Sequence, residues 1–383
     1  MPPVEGGGME INMKFLTIYP ACSEKEIAKD PFQIPYNLMR NYEIESTFAC
    51  WNVLKSEIEK NVSGLKIKRL LHFTKNEEIT ILLYILVHAR SIDWLNLYFL
   101  NYSRLIITKI YKILNPKGHV YIKMDAGGYL IDRLEIFDKL EKHLLDKVDI
   151  ISCESKSMSR IFSKKLKRDV IYVPNGFSGQ TVKKDLEVKK RNIFLSVGRL
   201  GTIQKNTEGL LEAFAQSSKF HDWNLHLVGT IEEKNICCRK FSSIIKEFYE
   251  KYPELKERVI FLGPIYDREV LKKEYDEAKV FLLPSKWEGS PIVIPEALSS
   301  GLHIIASNEV MLAKDLEKKG YAKTLPYWST SSWANEIVNE TKRDWKNVNY
   351  QAIVDYANKE YSWESSCEKL YTAMMEIEHE KKK

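Results

Sequence analysis

The stretch 279–301, KVFLLPSKWEGSPIVIPEALSSG, decides how the rest of the chain is read. It opens with four consecutive apolar residues, 280–283, the pattern of a short strand buried on both faces, and Pro284 stops it. A loop over 285–290 follows, carrying Glu288, the conformationally free Gly289 and Ser290. Pro291 suits the first turn of a helix because its missing N–H would be unpaired there in any case. The helix continues over 292–299, from Ile292 past Glu296, and Gly301 ends it. A strand feeding a glycine-containing loop and then a helix N-terminus makes an anion site. Unpaired N–H groups and the positive end of the helix dipole point beyond the strand's carboxyl end, and phosphate is the commonest ligand there.

Glu288 lies just before this helix and Glu296 within it, so an anion held at the helix end has one carboxylate on each side. Carboxylates repel phosphate but accept hydrogen bonds from sugar hydroxyls. The pair therefore suits hydroxylated rings flanking a diphosphate, which describes a nucleotide sugar. On spacing alone, ordinary solvated helix charge is the stronger reading of the two glutamates, and only their context reverses it.

With 383 residues the chain is long enough for two domains, each with its own core, and 44% hydrophobic with 29% charged residues is ordinary for a soluble globular protein. The longest apolar run, 79–89, is too short to span a bilayer, and 15–19 is too short for a signal-peptide core, so a cytoplasmic protein is expected. The six cysteines show neither paired CxxC spacing nor the density of a disulfide scaffold and read as thiols in a reducing compartment. No HExxH or clustered Asp/His motif is found, so no metal site is expected. Residues 1–12, with Pro2, Pro3 and a glycine run at 6–8, read as a flexible tail.

The body divides into a first domain over 13–178, a second over 179–355 and a last helical segment over 356–383, with 183–191 as a charged linker. In the first domain, 14–19, 47–51, 65–71, 94–100, 120–124, 148–152 and 170–173 read as strands or extended segments. A helix is expected from Pro35 through 42, a buried helix over 79–89, and further helices over 103–114 and 156–167. The second domain starts afresh with a strand over 192–197, a loop through Gly198, Arg199, Leu200 and Gly201, and Gln204, Lys205 and Asn206 before a helix over 207–217. Strands over 225–228, 259–262 and 280–283 repeat the unit, and helices over 332–343 and 348–377, broken near Ser362, close the chain. Such alternation implies α/β architecture with parallel, doubly wound sheets and ligand sites outside the strands' carboxyl ends. Asp125, followed by Gly127 and Gly128, falls at one such end.

The motif E-G-S-P-I-V-I-P-E-A-L-S-S-G over 288–301 resembles the donor-site signature of the retaining family-4 glycosyltransferases, and S-V-G-R-L over 196–200 and Q-K-N over 204–206 precede it in the family's order. The resemblance implies a GT-B architecture: two Rossmann-like domains facing a central cleft, with the last helix crossing back to the first domain. It places Glu288 on the donor sugar, Glu296 on the ribose, and Arg199 and Lys205 on the diphosphate, with Gly198, Gly289, Ser290, Pro291 and Ile292 lining the donor site. Fixed cations there lower the barrier because a departing nucleoside diphosphate accumulates negative charge. Asp125 stands in the region where other members have a histidine near the reacting centre, although an aspartate before two glycines reads equally as a turn residue. The glycine-rich loop that related enzymes place after the first strand is missing; Lys29, Asp30, Pro31 and Phe32 stand there, and no phosphate contact is assigned to them.

The activity implied is that of a retaining hexosyltransferase, moving a sugar from a nucleotide diphosphate donor, UDP-linked by preference, to a hydroxyl of a glycan, glycolipid or lipid-linked acceptor in surface-polysaccharide assembly. No cofactor and no metal are implied, since cationic side chains hold the diphosphate. A non-catalytic GT-B subunit that binds sugars or stabilises a partner is the alternative, and a sugar-nucleotide epimerase a further one. Charge speaks to the acceptor side: residues 14–180 hold 26 Lys and Arg against 19 Asp and Glu, while 181–383 are nearly balanced at 32 against 31. The densest cluster is Lys164, Lys165, Lys167 and Arg168. A basic face fits docking on the anionic inner face of the cell membrane as well as it fits plain solvation, and with no recognition motif and a net charge of only +6 no nucleic-acid partner is expected.

Overall fold

A computed structural model describes residues 13–23, 26–52, 62–124, 139–177, 189–233 and 240–380. The first sheet has seven strands, β1 (Lys14–Ile18), β2 (Glu45–Cys50), β3 (Lys66–Arg69), β4 (Trp94–Tyr98), β5 (His119–Lys123), β6 (Ile150–Cys153) and β7 (Ile171–Tyr172). They lie in the order β3-β2-β1-β4-β5-β6-β7, and every pair is parallel. The chain walks outward from β1 to β3, returns past β1 to β4, and then proceeds the other way. Right-handed crossovers therefore put helices on both faces. Helices α1 (Asp30–Tyr42), α2 (Glu77–His88), α3 (Tyr102–Leu114), α4 (Lys139–Leu145) and α5 (Lys156–Leu166) do this, with α2 beside α3 and α3 beside α4.

The second sheet repeats the plan with β8 (Ile193–Val197), β9 (Asn224–Val228), β10 (Val259–Gly263), β11 (Val280–Leu283), β12 (His303–Ser307) and β13 (Ala322–Leu325), ordered β10-β9-β8-β11-β12-β13 and again parallel throughout. Its helices are α6 (Thr207–Ser217), α7 (Phe241–Lys251), α8 (Arg268–Glu277), α9 (Val293–Ser299), α10 (Met311–Glu317) and α11 (Thr330–Thr341), followed by α12 (Tyr350–Tyr361) and α13 (Trp363–Glu380). The central strands are largely apolar because helices cover both faces: all four residues of β11 and all five of β12, His303 and Ser307 included, are buried. Each sheet reverses its strand order once, at β1/β4 and at β8/β11, and those crevices are where such sheets bind ligands.

The two sheets are tied at several points. Phe177 N donates to Tyr361 O at 3.0 Å, and a Cβ on Gly176 would lie 2.5 Å from the Trp363 ring, so this crossing has no room for a side chain. Helix α13 then packs on α1, with Tyr371 stacked on Tyr42 at 4.0 Å and Glu378 accepting from Trp94 Nε1 at 2.9 Å. On the other side, Asp315 of α10 accepts hydrogen bonds from Ser157 N and Oγ at the start of α5, and Lys156 pairs with Glu360 at 2.8 Å.

Three expectations need correction. The helix expected to begin at Pro35 begins at Asp30; Pro31 occupies its first turn, so the carbonyl that Pro35 leaves without a donor lies at the helix start, where the disruption is least. Helix α2 forms as expected but is not buried: Ile81 and Ile85 face the core while Ile79, Leu83, Leu86 and Val87 are exposed. Arg168, taken with the basic cluster at the end of α5, turns inward and donates to the carbonyls of Leu145 and Val148 at 2.6 and 2.7 Å, so it closes a loop instead of presenting charge.

Candidate functional site

At the β8/β11 crevice two loops leave the sheet side by side. After β8 comes a turn that ends in Asn206, whose left-handed backbone (φ 50°) starts α6. Thr202 holds this turn, donating from its hydroxyl to Arg199 O and accepting from Lys205 N, while Thr207 Oγ1 accepts from Gly201 N. After β11 comes the loop carrying Lys286, Trp287, Glu288, Gly289 and Ser290. Backbone joins the two, Lys286 N donating to Gln204 O at 2.7 Å.

Three of the four charged residues anticipated in the donor site meet here. Lys205 Nζ stands 2.5 Å from Glu288 Oε1, with both side chains largely shielded from solvent. Gln204 lies between the remaining groups: its Nε2 donates to Trp287 O at 3.0 Å and to Glu288 Oε2 at 3.4 Å, and its Oε1 accepts from Arg199 Nη2 at 2.8 Å. Gln204 carries no role of its own in the motif, yet it is the residue through which Arg199 and Glu288 are linked; its place between the motif's glycine loop and lysine was the available signal. Gly198 lets the lysine pass, since a Cβ there would sit 3.2 Å from Lys205 Cε. Gly229, at the end of β9, is needed for the same geometry: a Cβ on it would fall 1.7 Å from Gly198 O.

Glu296 is outside this network. Its half-buried carboxylate accepts from Tyr275 Oη of α8 at 3.0 Å. Burial pushes its pKa up to about 7, an effect moderated by the Tyr275 hydroxyl and by the charge of Arg268. Ser290 accepts from Asn175 Nδ2 at 3.3 Å, a contact that joins the β11 loop to the turn at the end of the first sheet. Pro291 is buried, and Ile292 packs against the apolar cluster that includes Trp363 and Met374 of α13. Asp125, Gly127 and Gly128 lie outside the described residues.

Across the cleft, the carboxyl edge of the first sheet contains an ionic cluster that sequence reasoning missed. Lys123, fully buried at the end of β5, donates to Val173 O at 2.9 Å and stands 3.5 Å from Glu154 and 4.0 Å from Asp30. A lysine closing the run 120–122 was its only local sign, because its partners come from α1 and from the turn after β6. The second domain thus brings two cations, Arg199 and Lys205, beside the carboxylate of Glu288, with a second carboxylate, Glu296, on the following helix.

Residues 179–346 match the family described as Glycosyl transferases group 1. The UDP-Gal:alpha-D-GlcNAc-diphosphoundecaprenol alpha-1,3-galactosyltransferase of Escherichia coli is 36% identical over 150 residues, 36% of each chain, and the lipopolysaccharide 1,6-galactosyltransferase of Salmonella typhimurium is 28% identical over 136 residues, 35% of each. The chain thus matches little more than a third of the length of these relatives. In fold the likeness extends over almost the whole chain. The lipopolysaccharide outer core galactosyltransferase WaaB superimposes with a TM-score of 0.68 at 17% identity, over 95% of this chain and 100% of that one. Anabaena Alr3699/HepE in complex with UDP and glucose superimposes with a TM-score of 0.65 at 14% identity, over 95% and 100%.

Proposed function

We propose, for a chain that folds as GT-B and through residues 179–346 belongs to the glycosyl transferases group 1 family, that it transfers a sugar from a nucleotide diphosphate donor to a hydroxyl of a lipid-linked or surface-polysaccharide acceptor with retention of anomeric configuration. The observation that carries this reading is the Arg199–Gln204–Glu288–Lys205 network at the β8/β11 crevice, which sets two cations and a hydroxyl acceptor around one point. Lys205 and Arg199 neutralise the diphosphate as the bond from the anomeric carbon to the phosphate oxygen breaks, and they do so without a bound metal. Glu288 orients the sugar hydroxyls and Glu296 the ribose. The acceptor oxygen bonds to the anomeric carbon on the face the diphosphate leaves, and the acceptor's proton passes to the departing phosphate oxygen.

The relatives named for galactosyl transfer favour a UDP-linked donor, and those named for diphosphoundecaprenol and lipopolysaccharide favour an amphiphilic acceptor. Calorimetry against UDP, GDP, ADP and dTDP tests the donor class, with UDP expected to bind most tightly. Incubation with the UDP-sugar and lipid extract, read by mass spectrometry, tests transfer. UDP release that does not depend on an acceptor would contradict the reading, as would donor conversion to an isomer with no acceptor gained.

A further inference from the structure

Helix α2, EEITILLYILVH, is apolar on nearly all sides, yet one side is uncovered: Ile79, Leu83, Leu86 and Val87 are exposed, Val87 by 78%. They recur at helical spacing and form one stripe. On α3 alongside, Ile106 and Ile113 are exposed one above the other, and Phe73, in the turn leading into α2, is 77% exposed. An apolar surface spread over two helices and a turn marks an interaction site on a water-soluble fold.

The charge around it says with what. Residues 64–117 hold nine Lys and Arg against three Asp and Glu, an excess equal to the +6 of the whole chain. Lys75 and Arg90 are exposed at the two ends of α2, and Lys109 is exposed between Ile106 and Ile113. Two copies meeting through this face would bring like charges together, which disfavours self-association. The position matters as well. Helices α2 and α3 start at the carboxyl ends of β3 and β4, the sheet edge that borders the cleft, and exposed Phe99 and Tyr102 continue the apolar surface to that edge.

We propose that the outer face of α2 and α3 docks on an anionic lipid bilayer, with Leu83, Val87 and Ile113 entering the boundary of the acyl chains, Lys75, Arg90 and Lys109 lying among the headgroups, and the cleft mouth turned to the surface. The contact is interfacial, since among the described residues no helix is long and apolar enough to cross a membrane. Apolar insertion and attraction to anionic headgroups act together in such docking. The orientation accords with the amphiphilic acceptor proposed above, but the docking itself needs no nucleotide and is measured without one.

Flotation with vesicles of phosphatidylcholine alone and of phosphatidylcholine with phosphatidylglycerol tests it on the full chain. The wild type is expected to float with the anionic vesicles and to bind the neutral ones at least ~tenfold more weakly. Leu83→Glu/Val87→Glu should lose binding to the anionic vesicles by a similar factor, and Arg90→Glu/Lys109→Glu should do the same at low salt, with melting temperature and UDP affinity unchanged in both. A wild type that stays in solution, or variants that float as the wild type does, would overturn the proposal. So would a wild-type dimer in sedimentation equilibrium that Leu83→Glu/Val87→Glu converts to monomer. UDP titration in parallel keeps the two readings separate: failure of every form to bind UDP counts against the donor site and leaves the flotation result standing.

Discussion

Lys205 and Glu288 stand 2.5 Å apart, one from the loop after β8 and the other from the loop after β11, so the two loops are joined by an ion pair at the point where the proposed donor's diphosphate would enter. An incoming diphosphate competes with Glu288 for the lysine, while the sugar it carries offers the glutamate hydroxyl donors in exchange. On the proposed function, the pair would couple holding the phosphates to engaging the sugar.

That coupling separates binding from transfer. Glu288→Gln removes the carboxylate that competes for Lys205, so affinity for bare UDP should be retained or increased. Transfer should fall roughly fivefold for each hydrogen bond weakened, because a neutral amide orients the sugar hydroxyls through weaker hydrogen bonds than a carboxylate does, ordinary bonds being worth roughly 1 kcal/mol less than charge-assisted ones. Calorimetry with UDP and with the intact donor, beside a transfer assay, compares the two directly. Loss of bare-UDP affinity in Glu288→Gln would assign the residue to the nucleotide and not to the sugar.

Glu296 brings a pH dependence. Burial lifts its carboxyl from an ordinary 4.5 to about 7. A ribose hydroxyl donates best to the ionised form, so UDP affinity should be full above about pH 7 and decline below it, and Glu296→Gln should be weaker and flat with pH. Folding responds with the opposite sign. The folded carboxyl keeps its proton between pH 4.5 and about 7, where the unfolded one has lost it, so its contribution to stability is greatest in acid and falls as pH rises through that window. Urea denaturation of Glu296→Gln should show a shallower decline there; an unchanged slope would place the effect on another group.

The Lys123 cluster is expected to govern folding and not donor binding. Lys123→Ala leaves Glu154 and Asp30 without their buried cation and should cost about 3–5 kcal/mol, whereas Lys123→Met with Glu154→Gln and Asp30→Asn should recover most of that. Denaturation of the two variants checks it, with UDP affinity unchanged in whatever fraction stays folded.

The second sheet was legible because β11 is an unbroken apolar run and β8 and β9 are largely apolar, interrupted by Ser196 and His226, between glycine-bearing loops, and local chemistry decides such elements. Strand β12 and helix α10 carry a weaker local signal: His303 and Ser307 bound the apolar core of β12, and α10 is only seven residues long. Pro35 misled by its local meaning as a helix starter, when Pro31 already filled that place. Helix α2 read as buried because a helix apolar on all sides normally is; the exposure of Ile79, Leu83, Leu86 and Val87 depends on which elements the topology sets beside it, and among the described residues none covers that side. The charged residues of the donor motif could be named from their order. That Gln204 links Arg199 to Glu288, that Tyr275 holds Glu296, and that Lys123 meets Glu154 and Asp30 are contacts between elements distant in sequence, which composition and spacing do not record.

The central claim, that the β8/β11 crevice receives a nucleoside diphosphate through Lys205, is tested most directly by calorimetric titration of UDP into the wild type and Lys205→Ala under identical conditions. Lys205 offers a charge-assisted hydrogen bond worth roughly 1.5–3 kcal/mol, less what is regained by no longer leaving Glu288. The account predicts measurable binding to the wild type and at least ~tenfold weaker binding to a Lys205→Ala protein of unchanged circular dichroism. Equal affinity in the two proteins, or binding of no nucleoside diphosphate to the wild type, would contradict it.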